Sequence, residues 1–288
     1  MSNESVISIM DPSHYRDAVN SFINHFSISQ KRAGIELLKE VLHNFSNIPY
    51  ENISKIIKYK NHHDDIYRIR LPDEIMEGYL KNRLGGTCFS LTNFLQIILK
   101  TLGFGCYPVM ADMRWGKNVH CALVVLLDGE KFLVDPGYLV NHPLNLSQER
   151  EVTYKAEFTG IRLVAYAAQN LYDLYTFDYS GMKWRYRFKD RPVSDEEFFQ
   201  HWLDSFGWKT MNGICINKVE ENRRIYVHKT FMRESFFNGK RNFNIKSDYH
   251  LRINEVFGIP PELVEEALSA LQFNLQRRKE MGLWVPKK

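Results

Sequence analysis

Cys88 follows the Gly85-Gly86 break and falls in the first turn of a predicted helix. The apolar face of that helix is Leu91, Phe94, Leu95, Ile98, Leu99 and Leu102, with Gly103 where a C-terminal cap is expected. A helix start presents unpaired N–H groups and the positive end of the macrodipole, and both favour a thiolate. A thiolate there can attack an acyl carbon, while N–H groups of the same turn, that of Cys88 included, receive the developing oxyanion. A neighbouring imidazolium would lower the thiol pKa further, and an acid behind the ring would orient it and hold its charge. His120 and Asp135 are the candidates for those two places.

A hairpin joins them. Asp128-Gly129 separates two apolar runs, and glycine tolerates the positive φ of a type I′ turn. With these two residues at the tip, Leu127 faces Glu130, Ala122 faces Asp135 and His120 faces Gly137. Side chains alternate, so His120, Ala122, Asp135 and Gly137 share one face. Asp135 is then the diagonal neighbour of His120, at roughly 7–8 Å between Cα atoms, close enough for imidazole and carboxylate to meet. A loop one residue longer would put them on opposite faces. The Cys-His-Asp set suits acyl transfer through a covalent thioester. Cys106, Cys121 and Cys215 lie in strand-like apolar segments and read as small buried hydrophobes, with Cys121 pointing away from the face that carries His120.

The elements that must position these residues are visible in the hydrophobic pattern. Between Ser29 and Phe45, Ile35, Leu38, Val41, Leu42 and Phe45 recur at helical spacing, and Pro72 opens another helix through Asn82. From Phe104 the pattern turns to strands: Cys106 to Ala111, Val119 to Leu127, Lys131 to Asp135, Arg162 to Ala167 and Trp184 to Phe188. This middle third reads as a small barrel or sandwich. A helix is expected at Asp195 to Phe206, strands around Gly213 to Val219 and Arg224 to Lys229, and a last helix from Pro261 to Arg277.

The 288 residues are 44% apolar, 25% charged and 14% aromatic, the composition of a globular protein long enough to bury a core without disulfides. The net charge of +4 is mild and scattered, which argues for neither nucleic acid nor an anionic membrane as partner. The opening residues lack a basic segment followed by an apolar one, and no apolar run approaches membrane-spanning length, so a cytoplasmic protein is expected. Four cysteines without a C-x-x-C pair give neither a zinc site nor a secreted disulfide framework. The His62-His63-Asp64-Asp65 run is read as a solvated loop, since adjacent residues rarely converge on one ion, and no metal is expected. The basic run Gln276 to Glu280 is read as a solvated complement to a helix dipole.

These blocks, in this order, resemble the arylamine N-acetyltransferase family. Arg83-Leu84-Gly85-Gly86-Thr87-Cys88-Phe89 is similar to its Arg-Gly-Gly-x-Cys segment, and Ile48-Pro49-Tyr50-Glu51-Asn52-Ile53 to its Pro-Phe-Glu-Asn-Leu block. His120-Cys121-Ala122-Leu123-Val124 resembles the strand bearing the family histidine, and Leu133-Val134-Asp135-Pro136-Gly137-Tyr138 its Asp-Val-Gly-Phe segment. The resemblance covers about residues 15 to 140 well. It implies an α+β fold of three lobes with a cysteine-protease-like core: a helical bundle over 1–103, a β-barrel over 104–205 and an α/β lid over 206–288. It also implies Cys88 as acyl-accepting nucleophile, His120 as base and Asp135 as the residue orienting it. The implied reaction is ping-pong: acetyl-CoA acetylates Cys88, and an arylamine, hydrazine or N-hydroxyarylamine takes the acetyl group. Gly137 and Tyr138 are the candidates for contacting the acyl-CoA, and Tyr50 and Phe89 for lining the aromatic pocket. The chain departs from the family at Ser90, Asn93, the inserted Leu84, and Leu139, where a glycine is expected and whose bulk would close a loop near the acyl group. Two other readings use the same residues: a papain-like amidohydrolase with water as acceptor, and a non-catalytic binding module.

Overall fold

The computed structural model describes residues 9–29, 32–146, 151–156, 158–220, 222–283 and 285–286. The opening segment weighed for targeting (residues 1–6) and positions 30–31 of the first expected helix lie outside the described residues.

Helices α1 (Arg16–Phe26), α2 (Ile35–Phe45), α3 (Ile53–Asn61), α4 (Asp65–Arg68), α5 (Pro72–Asn82) and α6 (Cys88–Thr101) occupy the first hundred residues, with a two-residue strand β1 (Tyr50–Glu51) between them. The bounds of α5 match its sequence pattern, whereas α2 starts at Ile35 because extended Gly34 takes the N-cap. Val19, Phe22, Leu38, Val41, Phe45, Ile75, Phe94 and Ile98 share one core. Helix α6 is buried from Cys88 to Leu99, which explains an apolar pattern wider than one stripe. It ends at left-handed Gly103, with Phe104 N–H donating to Leu99 O at 2.9 Å, as a Schellman closure requires.

Eight strands follow: β2 (Gly105–Met113), β3 (Gly116–Leu127), β4 (Glu130–Val134), β5 (Leu144–Asn145), β6 (Val152–Lys155), β7 (Gly160–Tyr166), β8 (Leu171–Asp178) and β9 (Gly181–Lys189). They form one antiparallel sheet in the order β5-β4-β3-β2-β9-β8-β7-β6, and its edges approach each other, so the sheet is a nearly closed barrel rather than a sandwich. The turn between β3 and β4 has Asp128 at φ 51° and Gly129 at φ 80°, the two positive angles of type I′, and Leu127 faces Glu130. Pairing runs to Leu123–Val134 and stops one pair short of Ala122–Asp135. On β3, Ala122 and Val124 enter the barrel core while Leu123 and Val125 pack with the helices. Burial on both faces is why this strand reads as a continuous apolar run.

Helix α7 (Asp195–Asp204) leads to a second sheet, β10 (Cys215–Glu220), β11 (Arg223–His228), β12 (Phe231–Phe236) and β13 (Gly239–Asn244), then α8 (Tyr249–Phe257) and α9 (Pro261–Glu280). Strand β1 pairs with β10, and α3 packs on α9. Ile53 and Ile56 therefore share a core with Ile216, Ile225, Val264 and Ala267. The architecture is the expected α+β arrangement of helices, barrel and C-terminal α/β unit. Among the described residues, no helix is long and apolar enough to cross a membrane.

Candidate active site

The loop before α6 is clamped from two sides. Gly86 N–H donates to Pro49 O at 3.3 Å and Glu51 N–H to Gly86 O at 2.9 Å, which ties the loop to β1, while Arg70 Nε donates to Gly85 O at 2.8 Å. Arg83, matched to the family arginine, instead lies over the Tyr79 ring, and inserted Leu84 joins the C-terminal core. Ser54 donates to Glu51 from both backbone and hydroxyl, at 2.9 and 2.6 Å, which fixes that carboxylate beneath the clamp. The Thr87 side chain makes no cap bond, so the first-turn N–H groups of α6 stay available beside Cys88.

The structure brings Cys88, His120 and Asp135 together, all of them buried. His120 Nε2 lies 2.8 Å from Asp135 Oδ2, which leaves Nδ1 for the sulfur; Cys88 Cβ and His120 Cε1 both come within 2.9 Å of the place where a Gly137 Cβ would stand. Asp135 is held by two further donors, Tyr186 O–H to Oδ2 at 2.7 Å and Tyr138 N–H to Oδ1 at 3.1 Å. Tyr186 comes from β9, two strands from β3 in the sheet, and was not singled out in the sequence. Alternation along β3 and β4 put His120 and Asp135 on one side, although the ladder has ended by then.

Electrostatics favour the thiolate. The neighbouring Cys121 side chain is the largest influence lowering the Cys88 pKa, which sits well below its ordinary value; burial opposes it, and His120 and the Lys55 charge add to it. Burial alone would lower the His120 pKa, but the Asp135 charge and hydrogen bond, then Cys88, raise it to about 10. Both shifts run in the direction that favours a thiolate–imidazolium pair. The Cys121 pKa is raised by burial and by Cys88, which keeps it a thiol, and its S–H donates to Thr92 Oγ1 at 3.5 Å. Reading Cys121 only as a small hydrophobe missed this contact: it faces α6, away from the barrel interior, and that is where the helix brings Cys88. Lys55 was missed as well. Burial pulls its pKa down to about 8, and its Nζ is held by Ser205 O at 3.1 Å and Ser205 Oγ at 2.5 Å, with the Phe206 ring centroid 4.4 Å away. A lysine amid Ile53, Ile56 and Ile57 was the available signal.

Cys88 and His120 open into a cavity of about 610 Å³ also lined by Tyr50, Gly137 and Tyr138. Phe89 lies elsewhere: one residue along the helix from Cys88, it is fully buried against Phe198, Trp202 and Trp208, so its expected place in the pocket is corrected to the core. Leu139 keeps the left-handed backbone of a glycine position, φ 54°, and packs with Phe158 and Val219 rather than lining this cavity. Gly137 is the point of closest approach. A Cβ built there would lie 2.9 Å from Cys88 Cβ, 2.9 Å from His120 Cε1 and 3.3 Å from Asp135 Oδ1. Cys215 also lines the cavity. The His62–Asp65 stretch runs from the end of α3 into the start of α4, where Asp65 pairs with Arg68, and among the described residues no group of side chains is arranged to hold a metal. Within the basic run of α9, Arg278 departs from the solvated reading: it is buried and donates to Gly207 O at 3.0 Å.

A family model described as N-acetyltransferase matches residues 34–262, and the chain belongs to that family. The fold is that of solved arylamine N-acetyltransferases. The enzyme from Mycobacterium abscessus superposes with a TM-score of 0.77 at 15% identity, over 91% of this chain and 97% of that one. The enzyme from Salmonella typhimurium gives 0.72 at 14% identity, over 88% and 98%. A Bacillus cereus relative, at 0.67 and 20% identity over 85% and 99%, is described as having a unique Cys-His-Glu catalytic triad. No curated protein matches the chain significantly.

Proposed function

We propose that this N-acetyltransferase works by ping-pong acyl transfer from acetyl-CoA to an arylamine or hydrazine, with Cys88 as nucleophile, His120 as proton carrier and Asp135 as the residue that orients it. The observation that carries the reading is the buried His120–Asp135 pair at 2.8 Å beside a thiol whose pKa is pulled well down. The Cys88 thiolate attacks the thioester carbonyl, and the oxyanion is met by first-turn N–H groups of α6. As the tetrahedral adduct collapses, the CoA sulfur leaves with the proton of His120 imidazolium. His120, now neutral, takes a proton from the amine as it attacks acyl-Cys88, and the Cys88 thiolate departs, which restores the starting ion pair. Thioester exchange between thiols is nearly balanced in energy, so the acyl group stays activated for the amine. Asp135 holds the ring through Nε2 and, being anchored by three donors, does not move with it.

Tyr50, Gly137 and Tyr138 line the space where donor and acceptor meet the sulfur. The test is a two-step turnover: protein is mixed with acetyl-CoA, excess donor is removed, and an arylamine is added. Acetylated amine formed in one equivalent without further donor supports the reading. Rapid release of acetate before amine is added points instead to the amidohydrolase chemistry.

A further inference from the structure

The cavity at Cys88 carries more cations than its acids can balance. Arg185 on β9 and Arg224 on β11 line it, with Lys183, Arg233 and Lys240; Asp178 is the carboxylate of the lining, and Lys240 holds it at 2.8 Å. Arg185 Nε donates to Thr176 Oγ1 at 2.6 Å, and Arg224 Nε donates to Asn217 Oδ1 at 2.8 Å. Both partners are neutral, and among the described residues neither guanidinium has a carboxylate partner. Burial and then the Arg185 charge lower the pKa of Arg224, so the two cations sit close enough to repel each other. Both also act on Tyr138, the neighbour of Gly137, and Gly137 abuts Cys88. Two like charges half-buried on one cavity wall without an anion are unfavourable unless a ligand supplies one. Guanidinium forks are shaped for a carboxylate.

We propose that Arg185 and Arg224 form a clamp for a carboxylate carried by a substrate close to its reacting centre. The inference rests on the acyl-transfer reading for the identity of that substrate. Arg185 and Arg224 line the same cavity as Cys88, His120 and Tyr138, so the carboxylate they hold belongs to the part of a substrate that enters this cavity. Two sources share the chemistry: an amine acceptor that is also an acid, and an acyl group derived from a dicarboxylic acid.

The test has two arms. In the first, wild-type protein without donor is titrated calorimetrically with 4-aminobenzoate and with neutral 4-aminobenzamide. The acid should bind at least about tenfold more tightly, a difference of about 1.4 kcal/mol. The preference should fall below about threefold in Arg185→Gln and in Arg224→Gln, and Arg224→Lys should recover part of it. In the second, acylation by succinyl-CoA and by acetyl-CoA is followed by intact mass in the same proteins. A preference in the titration places the carboxylate on the amine; a succinyl preference lost in the variants places it on the acyl group. Equal binding of acid and amide together with equal acylation by both thioesters overturns the clamp, and this comparison needs only the wild type. An acid preference without any acyl adduct would retain the clamp and reject acyl transfer.

Discussion

Replacing Gly137 by alanine tests the geometry of the site with a single methyl group. The residue has no positive φ, so alanine suits its backbone, and the whole effect comes from the added carbon. That carbon would lie 2.9 Å from both Cys88 Cβ and His120 Cε1, whereas non-bonded carbons settle at about 3.5–4.0 Å. Relief therefore needs each of the two contacts to lengthen by roughly 0.6–1.1 Å. Displacement of about 1 Å at a reacting pair reduces rate by about 10²-fold. Overpacking of this kind destabilises by about 1–3 kcal/mol, and each kcal/mol lowers Tm by about 2–4 °C at this chain size, so the variant should remain folded. The assay is stopped-flow acylation by acetyl-CoA, with far-UV circular dichroism and a thermal melt as controls. A Gly137→Ala protein that acylates within about threefold of wild type would refute the contact geometry and the reasoning built on it.

Asp135→Asn removes the charge behind His120 while keeping its shape. Turnover should fall by roughly 10³–10⁴-fold with little change in KM, read by steady-state kinetics. Iodoacetamide alkylation of Cys88 should follow the depressed thiol pKa. Thiolate is lost only as pH falls through that value, so the rate should reach its plateau well below pH 9 and decline as pH falls further; a midpoint at the ordinary thiol value of 9.0 would contradict the ion pair. Lys55→Met should raise that midpoint, because the lysine charge is one of the influences that lower the Cys88 pKa. Because the Lys55 pKa is about 8, the difference from wild type should fade as pH rises past 8 and the lysine loses its charge.

Much of this site was legible because short-range chemistry fixed it. The Asp128-Gly129 turn set the register, and the break before Cys88 set the helix start, so His120, Asp135 and Cys88 were readable from local rules. Long-range pairings were not. Tyr186 reaches Asp135 from a strand 51 residues on, and Lys55 is anchored by Ser205, 150 residues on, so no local pattern marks either. Strand β13 went unseen because it is an edge strand whose only large apolar residue is Phe243, and four of its six residues are exposed. Strand β8 was hidden by buried Asp173, whose carboxylate is taken by Arg187 and Trp184. Phe89 failed in the other direction: an aromatic beside a reactive cysteine suggested a pocket, but one residue of helix turns it by about 100° into the core.

The most direct measurement is the intact mass of the protein after brief exposure to acetyl-CoA, with peptide mapping of the product. One acetyl group should appear, map to Cys88, vanish in Cys88→Ala and depart when an arylamine is added. No adduct on the wild type, or an adduct that persists in Cys88→Ala, would contradict the covalent mechanism.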